Sequence, residues 1–148
     1  MTGSGSGGQS FAYSVSGLPA GAGGVFSPTS ADSGHLTSTL TVTTAASTPA
    51  GSFTITVSCN SKTRTATLTI NKATPTLTVN NSPVTYDGAA KAATVTASVA
   101  GTVSSILTGG VATKTAAGTY AVTANFTPTD TANYNSLTAA AAGNFVIG

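Results

Sequence analysis

Phe53-Thr54-Ile55-Thr56-Val57-Ser58-Cys59 alternates apolar and hydroxyl side chains without a break. A period of two puts one set on each face of an extended strand. Thr suits the outer set, because its β-branch favours extended backbone while its hydroxyl stays wet. The register places Phe53, Ile55 and Val57 inward and Thr54 and Thr56 outward. The same alternation spreads in both directions. Ala66, Leu68 and Ile70 alternate with Thr65, Thr67 and Thr69. Leu36, Leu40 and Val42 alternate with Thr37, Thr39, Thr41 and Thr43, and Val95, Ala97 and Val99 with Thr94, Thr96 and Ser98. Tyr120, Val122, Ala124 and Phe126 alternate with Ala121, Thr123 and Asn125, which predicts Tyr120 and Val122 as core and Thr123 as surface. Leu77 and Val79, then Val84 and Tyr86, add shorter runs.

Turn chemistry separates these runs: Gly17-Leu18-Pro19-Ala20-Gly21, Pro49-Ala50-Gly51, Asn80-Asn81-Ser82-Pro83, Asp87-Gly88, Gly109-Gly110 and Ala117-Gly118. Strands recurring every 8–12 residues are the pattern of an all-β sandwich or barrel. No amphipathic helix is legible. Ala139–Ala142 reads equally as one helical turn, a strand edge or a loop.

Composition narrows the function classes. The 148 residues include 30 Thr, 25 Ala, 18 Ser and 17 Gly, while charged residues are 5% against about 25% in ordinary domains. Much of the 40% hydrophobic content is Ala, so the expected core is thin. There is no Glu, the acids are Asp32, Asp87 and Asp130, and the lone histidine is His35. Catalysis needs a base, an orienting carboxylate and an oxyanion site in mutual reach. These few scattered groups predict no catalytic, cofactor-binding or metal-binding residues. A net charge of +2 spread over five bases predicts no nucleic-acid partner. No apolar run approaches the length of a membrane-spanning helix, and none reads as a signal peptide. Cys59 has no partner for an internal disulfide and reads as a small packed residue.

An internal repeat organises the chain. Pro49-Ala50-Gly51-Ser52-Phe53-Thr54-Ile55-Thr56-Val57 aligns with Ala116-Ala117-Gly118-Thr119-Tyr120-Ala121-Val122-Thr123-Ala124. Each copy is followed by a closing strand, which predicts two tandem units. Residues 1–9 read as a flexible Gly/Ser leader, 10–71 as the first unit and 72–148 as the second. The second spends extra residues, largely Thr127 to Ala141, between its matched strand and its end.

Ala50-Gly51-Ser52-Phe53 and Ala117-Gly118-Thr119-Tyr120 resemble the Ala-Gly-x-Tyr entry to the penultimate strand of immunoglobulin-like domains. There the tyrosine hydroxyl bonds back to the backbone, which only Tyr120 has the oxygen to do. Ser16-Gly17-Leu18-Pro19-Ala20-Gly21, Phe26-Ser27-Pro28-Thr29 and Ser38-Thr39-Leu40-Thr41-Val42 resemble part of bacterial immunoglobulin-like repeats. Tyr86-Asp87-Gly88, Asn125-Phe126-Thr127-Pro128, Asn133-Tyr134-Asn135 and Gly143-Asn144-Phe145-Val146-Ile147 resemble the mostly-β, glycine-rich repeats of bacterial adhesin-like surface proteins. The resemblance implies tandem immunoglobulin-like β-sandwiches in an extracellular or cell-surface protein, serving without enzymatic activity as a spacer or adhesive stalk beside neighbouring repeats. The first unit is short for a sandwich of about 100 residues. It is expected to be truncated, with an open edge able to self-associate by strand addition as a fibre or pilus-like subunit does.

Four further site expectations follow. Tyr134 is the best-placed aromatic for a glycan or other surface ligand, which gives weak carbohydrate binding as an alternative function, against simple packing over the end of the unit. Related surface sandwiches form Lys–Asn isopeptide bonds beside a buried acid, and Lys72, Asp87 and Asn144 stand in suggestive order for one. The competing reading makes Lys72 a linker residue and Asp87 a turn former. Asp130 and Asn133 suit an Asx-turn better than a cation site. Thr39-x-Thr41-x-Thr43 and Thr63-x-Thr65-x-Thr67-x-Thr69 form regular rows, but binding ice or a crystalline polymer needs a flat array and ordinary sheets twist.

Overall fold

The computed structural model describes residues 9–32 and 37–148. His35 and residues 1–8 lie outside them. The chain divides into two compact units, Met1–Asn71 and Lys72–Gly148. All twelve elements are strands, and the described residues contain no helix.

The first unit contains β1 (Phe11–Ala12), β2 (Ser14–Ser16), β3 (Gly23–Ser27), β4 (Ser30–Ala31), β5 (Thr39–Thr43), β6 (Gly51–Cys59) and β7 (Lys62–Ile70). A three-stranded antiparallel sheet runs β2-β6-β7, with two-stranded ladders β3-β5 and β1-β4 beside it. The pairing of β6 with β7 is unbroken from Gly51↔Ile70 to Cys59↔Lys62. The strict alternation that reveals these strands also holds their register, because a one-residue slip would turn every Thr inward. Phe26 and Ile55 are the buried hydrophobics of this unit, and the rings of Tyr13 and Phe26 stack with centroids 5.3 Å apart. Phe53 and Val57, expected as core, are only partly buried. The physical reason is missing cover. β7 presents Lys62 to Thr67 exposed, and Leu68 and Ile70 are only partly buried.

The second unit contains β8 (Leu77–Val79), β9 (Val95–Ala97), β10 (Gly101–Thr108), β11 (Gly118–Pro128) and β12 (Leu137–Ile147). β10-β11-β12 form an antiparallel sheet, and β8 pairs with β9. The ladder and the sheet share one core: Leu77, Ala93 and Val95 meet Val122, Ala124, Phe126, Ala142, Phe145 and Ile147, all buried. β11 follows the expected alternation, with Val122, Ala124 and Phe126 inward. Tyr120, expected as core, is partly exposed at the strand entry, and Thr123 is partly buried rather than free on the surface.

Two strands depart from the sequence reading. The alternation does not predict β10, whose frame slips at Ser105, at φ +50°, so that Val103 and Ile106 both face inward. Ala139–Ala142 is strand, with Ala139 at φ +49° and Gly143 at φ +109° shifting the register. A segment without strand length of its own completes the sheet. Val84 bridges Ile147 in parallel, and Tyr86 N–H donates to the Gly148 carbonyl at 2.8 Å. The outer edge of β12 is thus covered at its C-terminal end.

Candidate functional site

The Ala-Gly-x-aromatic corner recurs in both units with the same local geometry. Gly51 has φ +148° and Gly118 φ +151°, a backbone that residues with a Cβ rarely adopt. In each case the aromatic side chain two residues on folds back over the glycine. A Cβ on Gly51 would stand 3.5 Å from Phe53 Cζ, and one on Gly118 would stand 3.3 Å from Tyr120 Oη. Tyr120 Oη donates to the Ala116 carbonyl at 2.9 Å, and Lys114 Nζ lies 5.2 Å from the ring centroid. Phe53 has no hydroxyl and leaves its corner without this bond.

The richest cluster of polar side chains is the loop between β11 and β12. Asp130 Oδ1 accepts from the backbone N–H groups of Ala132 and Asn133, both at 3.1 Å, and Oδ2 accepts from Asn133 Nδ2 at 2.7 Å. Such a side chain offers the backbone a turn in place of a ladder. The hydrogen bonds from Asn133 hold the Asp130 carboxyl below its ordinary pKa, and the charge of Lys72 adds to the effect.

The turn grips the segment that opens the unit. Ala73 N–H donates to the Asn133 carbonyl at 2.8 Å, and Asn135 N–H returns to the Ala73 carbonyl at 2.9 Å. Lys72 Nζ donates to the Thr131 carbonyl at 2.7 Å, and Asn135 Nδ2 to Thr74 Oγ1 at 3.0 Å. The residues inserted after the matched strand therefore form a strap over the entry segment 72–74. Tyr134 sits inside this strap. Its backbone N–H is donated to the Asp130 carbonyl at 3.1 Å and its side chain is partly buried. It does not stand out as a stacking platform. The Asp-x-x-Asn spacing of Asp130 and Asn133 is the sequence signal for this turn.

The structure does not bring Lys72, Asp87 and Asn144 into one site. Lys72 is engaged by Thr131. Asp87 forms an ion pair with Lys91, its side chain 54% exposed, and accepts from Ala89 N–H at 2.9 Å. The Lys91 hydrogen bond is the main cause of its lowered pKa. Asn144 lies on the exposed side of β12 opposite Ala121. Isopeptide formation calls for a buried acid, and the Asp87 carboxylate is in solvent. Cys59 Sγ donates to the Phe11 carbonyl at 3.5 Å, a packing role within the first unit. Among the described residues no three His, Cys, Asp or Glu side chains cluster as a metal site. No buried side-chain polar atom among them lacks a hydrogen-bond partner. Thr39, Thr41, Thr43 and the Thr63–Thr69 row all face solvent.

Comparison with known proteins returns no matching family model, no matching curated protein and no matching solved structure.

Proposed function

We propose that the chain is a non-enzymatic structural module, two immunoglobulin-like units in tandem, serving as a spacer or adhesive stalk of an extracellular or cell-surface protein. One observation carries this reading. The same glycine-and-aromatic corner opens the penultimate strand of each unit, at φ +148° in one and φ +151° in the other. Repetition of one architectural joint is what a chain needs to gain length. The polar groups support the same conclusion. Asp87, Asp130, Asn133 and Asn135 are spent on backbone and neighbouring side chains, fastening loops rather than lining a cleft. With few charges and many hydroxyls, the surface hydrates with little dependence on salt.

A stalk must bear load as separate folded beads. Pulling the chain from its two ends should give a discrete rupture for the second unit, releasing roughly 25 nm of chain at ~3.5 Å per residue. Smooth extension with no rupture would contradict the module reading.

A further inference from the structure

We propose that the outer edge of β7 is a pairing surface for a second copy of this chain, which joins it antiparallel, β7 against β7, centred on Ala66. This inference stands apart from the stalk reading. β7 is the terminal strand of its sheet and pairs only with β6 among the described residues. The matching closing strand of the second unit, β12, has the C-terminal end of its outer edge taken in parallel by Val84 and Tyr86. Among the described residues β7 has no such cover. Native edges are ordinarily blunted by Pro, by a bulge, by inward charge or by shortness. β7 has none of the first two. It is nine residues long and its register is unbroken, and its inward-side charge is confined to one end, on Lys62 and Arg64 opposite Cys59 and Val57.

That charge placement selects the occupant. A parallel copy would set Lys62 on Lys62 and Arg64 on Arg64, and like charges directly opposite oppose pairing. An antiparallel copy centred on Arg64 would again oppose Arg64 to itself. Centred on Ala66, all nine residues overlap and no charge meets a charge. Lys62 lies across from Ile70, Arg64 from Leu68, Thr63 from Thr69 and Thr65 from Thr67. Leu68 and Ile70 are partly exposed. The long aliphatic stems of the opposing Arg64 and Lys62 would cover them while their charged ends stay wet. On the other face, Thr–Thr pairs are favourable cross-strand neighbours. The leader Met1–Gly8, six of whose eight residues are Gly or Ser, supplies no apolar residue beyond Met1 for this role. The pairing is two-fold and closes on itself, so it yields a dimer and not a fibre.

The contact is a single strand edge, so the dimer should be weak. Sedimentation of the full chain should show mass rising toward twice the monomer between about 10 µM and about 1 mM, as suits an interface under ~1,000 Å². Ala66→Lys, at an exposed position, should keep the chain monomeric across that range while leaving its circular dichroism unchanged. In a Cys59→Ser background, Ala66→Cys should oxidise readily to a disulfide-linked dimer. Lys62→Cys should not, because the two copies of residue 62 would lie eight residues apart along the strands. A monomer at every concentration overturns the proposal, whether or not hydrogen exchange finds β7 covered by the leader. So does a dimer unaffected by Ala66→Lys, or equal cross-linking at positions 62 and 66.

Discussion

Phe126 and Phe53 occupy equivalent kinds of position, inward-facing aromatics on central strands, yet they carry different loads. Phe126 is 1% exposed and packs among Val122, Ala124 and Phe145. Its ring also closes on Gly101, where a Cβ would stand 2.5 Å from Phe126 Cζ. Phe53 is only partly buried. Truncating a buried aromatic to Ala removes its transfer free energy and leaves a cavity, about 3–5 kcal/mol together, and less where water already reaches the ring. Phe126→Ala should therefore cost about 3–5 kcal/mol in urea unfolding, and Phe53→Ala about 2 kcal/mol. A larger loss at Phe53 than at Phe126 would invert this ranking. Sequence alone assigns the two residues the same weight, because alternation reports which face a side chain is on and not what lies across from it.

At the scale of elements, the legible strands are those without a register shift. β6 and β7 pair through nine residues with no irregularity, so their Thr alternation maps onto faces directly. β10 and β12 are bulged, and each bulge moves the apolar positions from one parity to the other. A period-two pattern cannot survive that, which is why the alternation does not reveal β10 and Ala139–Ala142 reads ambiguously. The strap was half legible. The Asp130 and Asn133 turn is local chemistry and follows from spacing. Its grip on Ala73, far away along the chain, is tertiary and leaves no mark in the sequence. The strap also has a defined pH response. The Asp130 carboxyl is held below its ordinary value by Asn133, so its ionised form is favoured in the folded state. Its contribution is complete above the unfolded pKa of about 3.9. It is lost as pH falls through the lowered folded value. Between pH 7 and pH 5, hydrogen exchange at Ala73 N–H, corrected for the intrinsic pH dependence, should be unchanged. Below about pH 4 its protection should fall, and Asp130→Ala should show the weaker protection at every pH. Protection of Ala73 that survives both acid and Asp130→Ala would show that the strap does not depend on this turn.

The whole molecule is two all-β units with buried cores of unequal extent. The second joins a ladder and a sheet around a continuous core and covers the outer edge of its closing strand. Among its described residues the first has Phe26 and Ile55 as buried hydrophobics and pairs β7 on one side only. Local opening is governed by how much apolar contact and how many shielded hydrogen bonds a segment has, so the two units should differ in cooperativity and stability. The most direct measurement is native-state hydrogen exchange on the intact chain at low concentration, comparing the two matched strands. Amides of Phe53 to Val57 should exchange faster than those of Tyr120 to Ala124, and should slow as concentration rises and β7 edges pair. Equal, strong protection of both segments in a dilute monomer would contradict the account, because the first unit would then be complete as it stands.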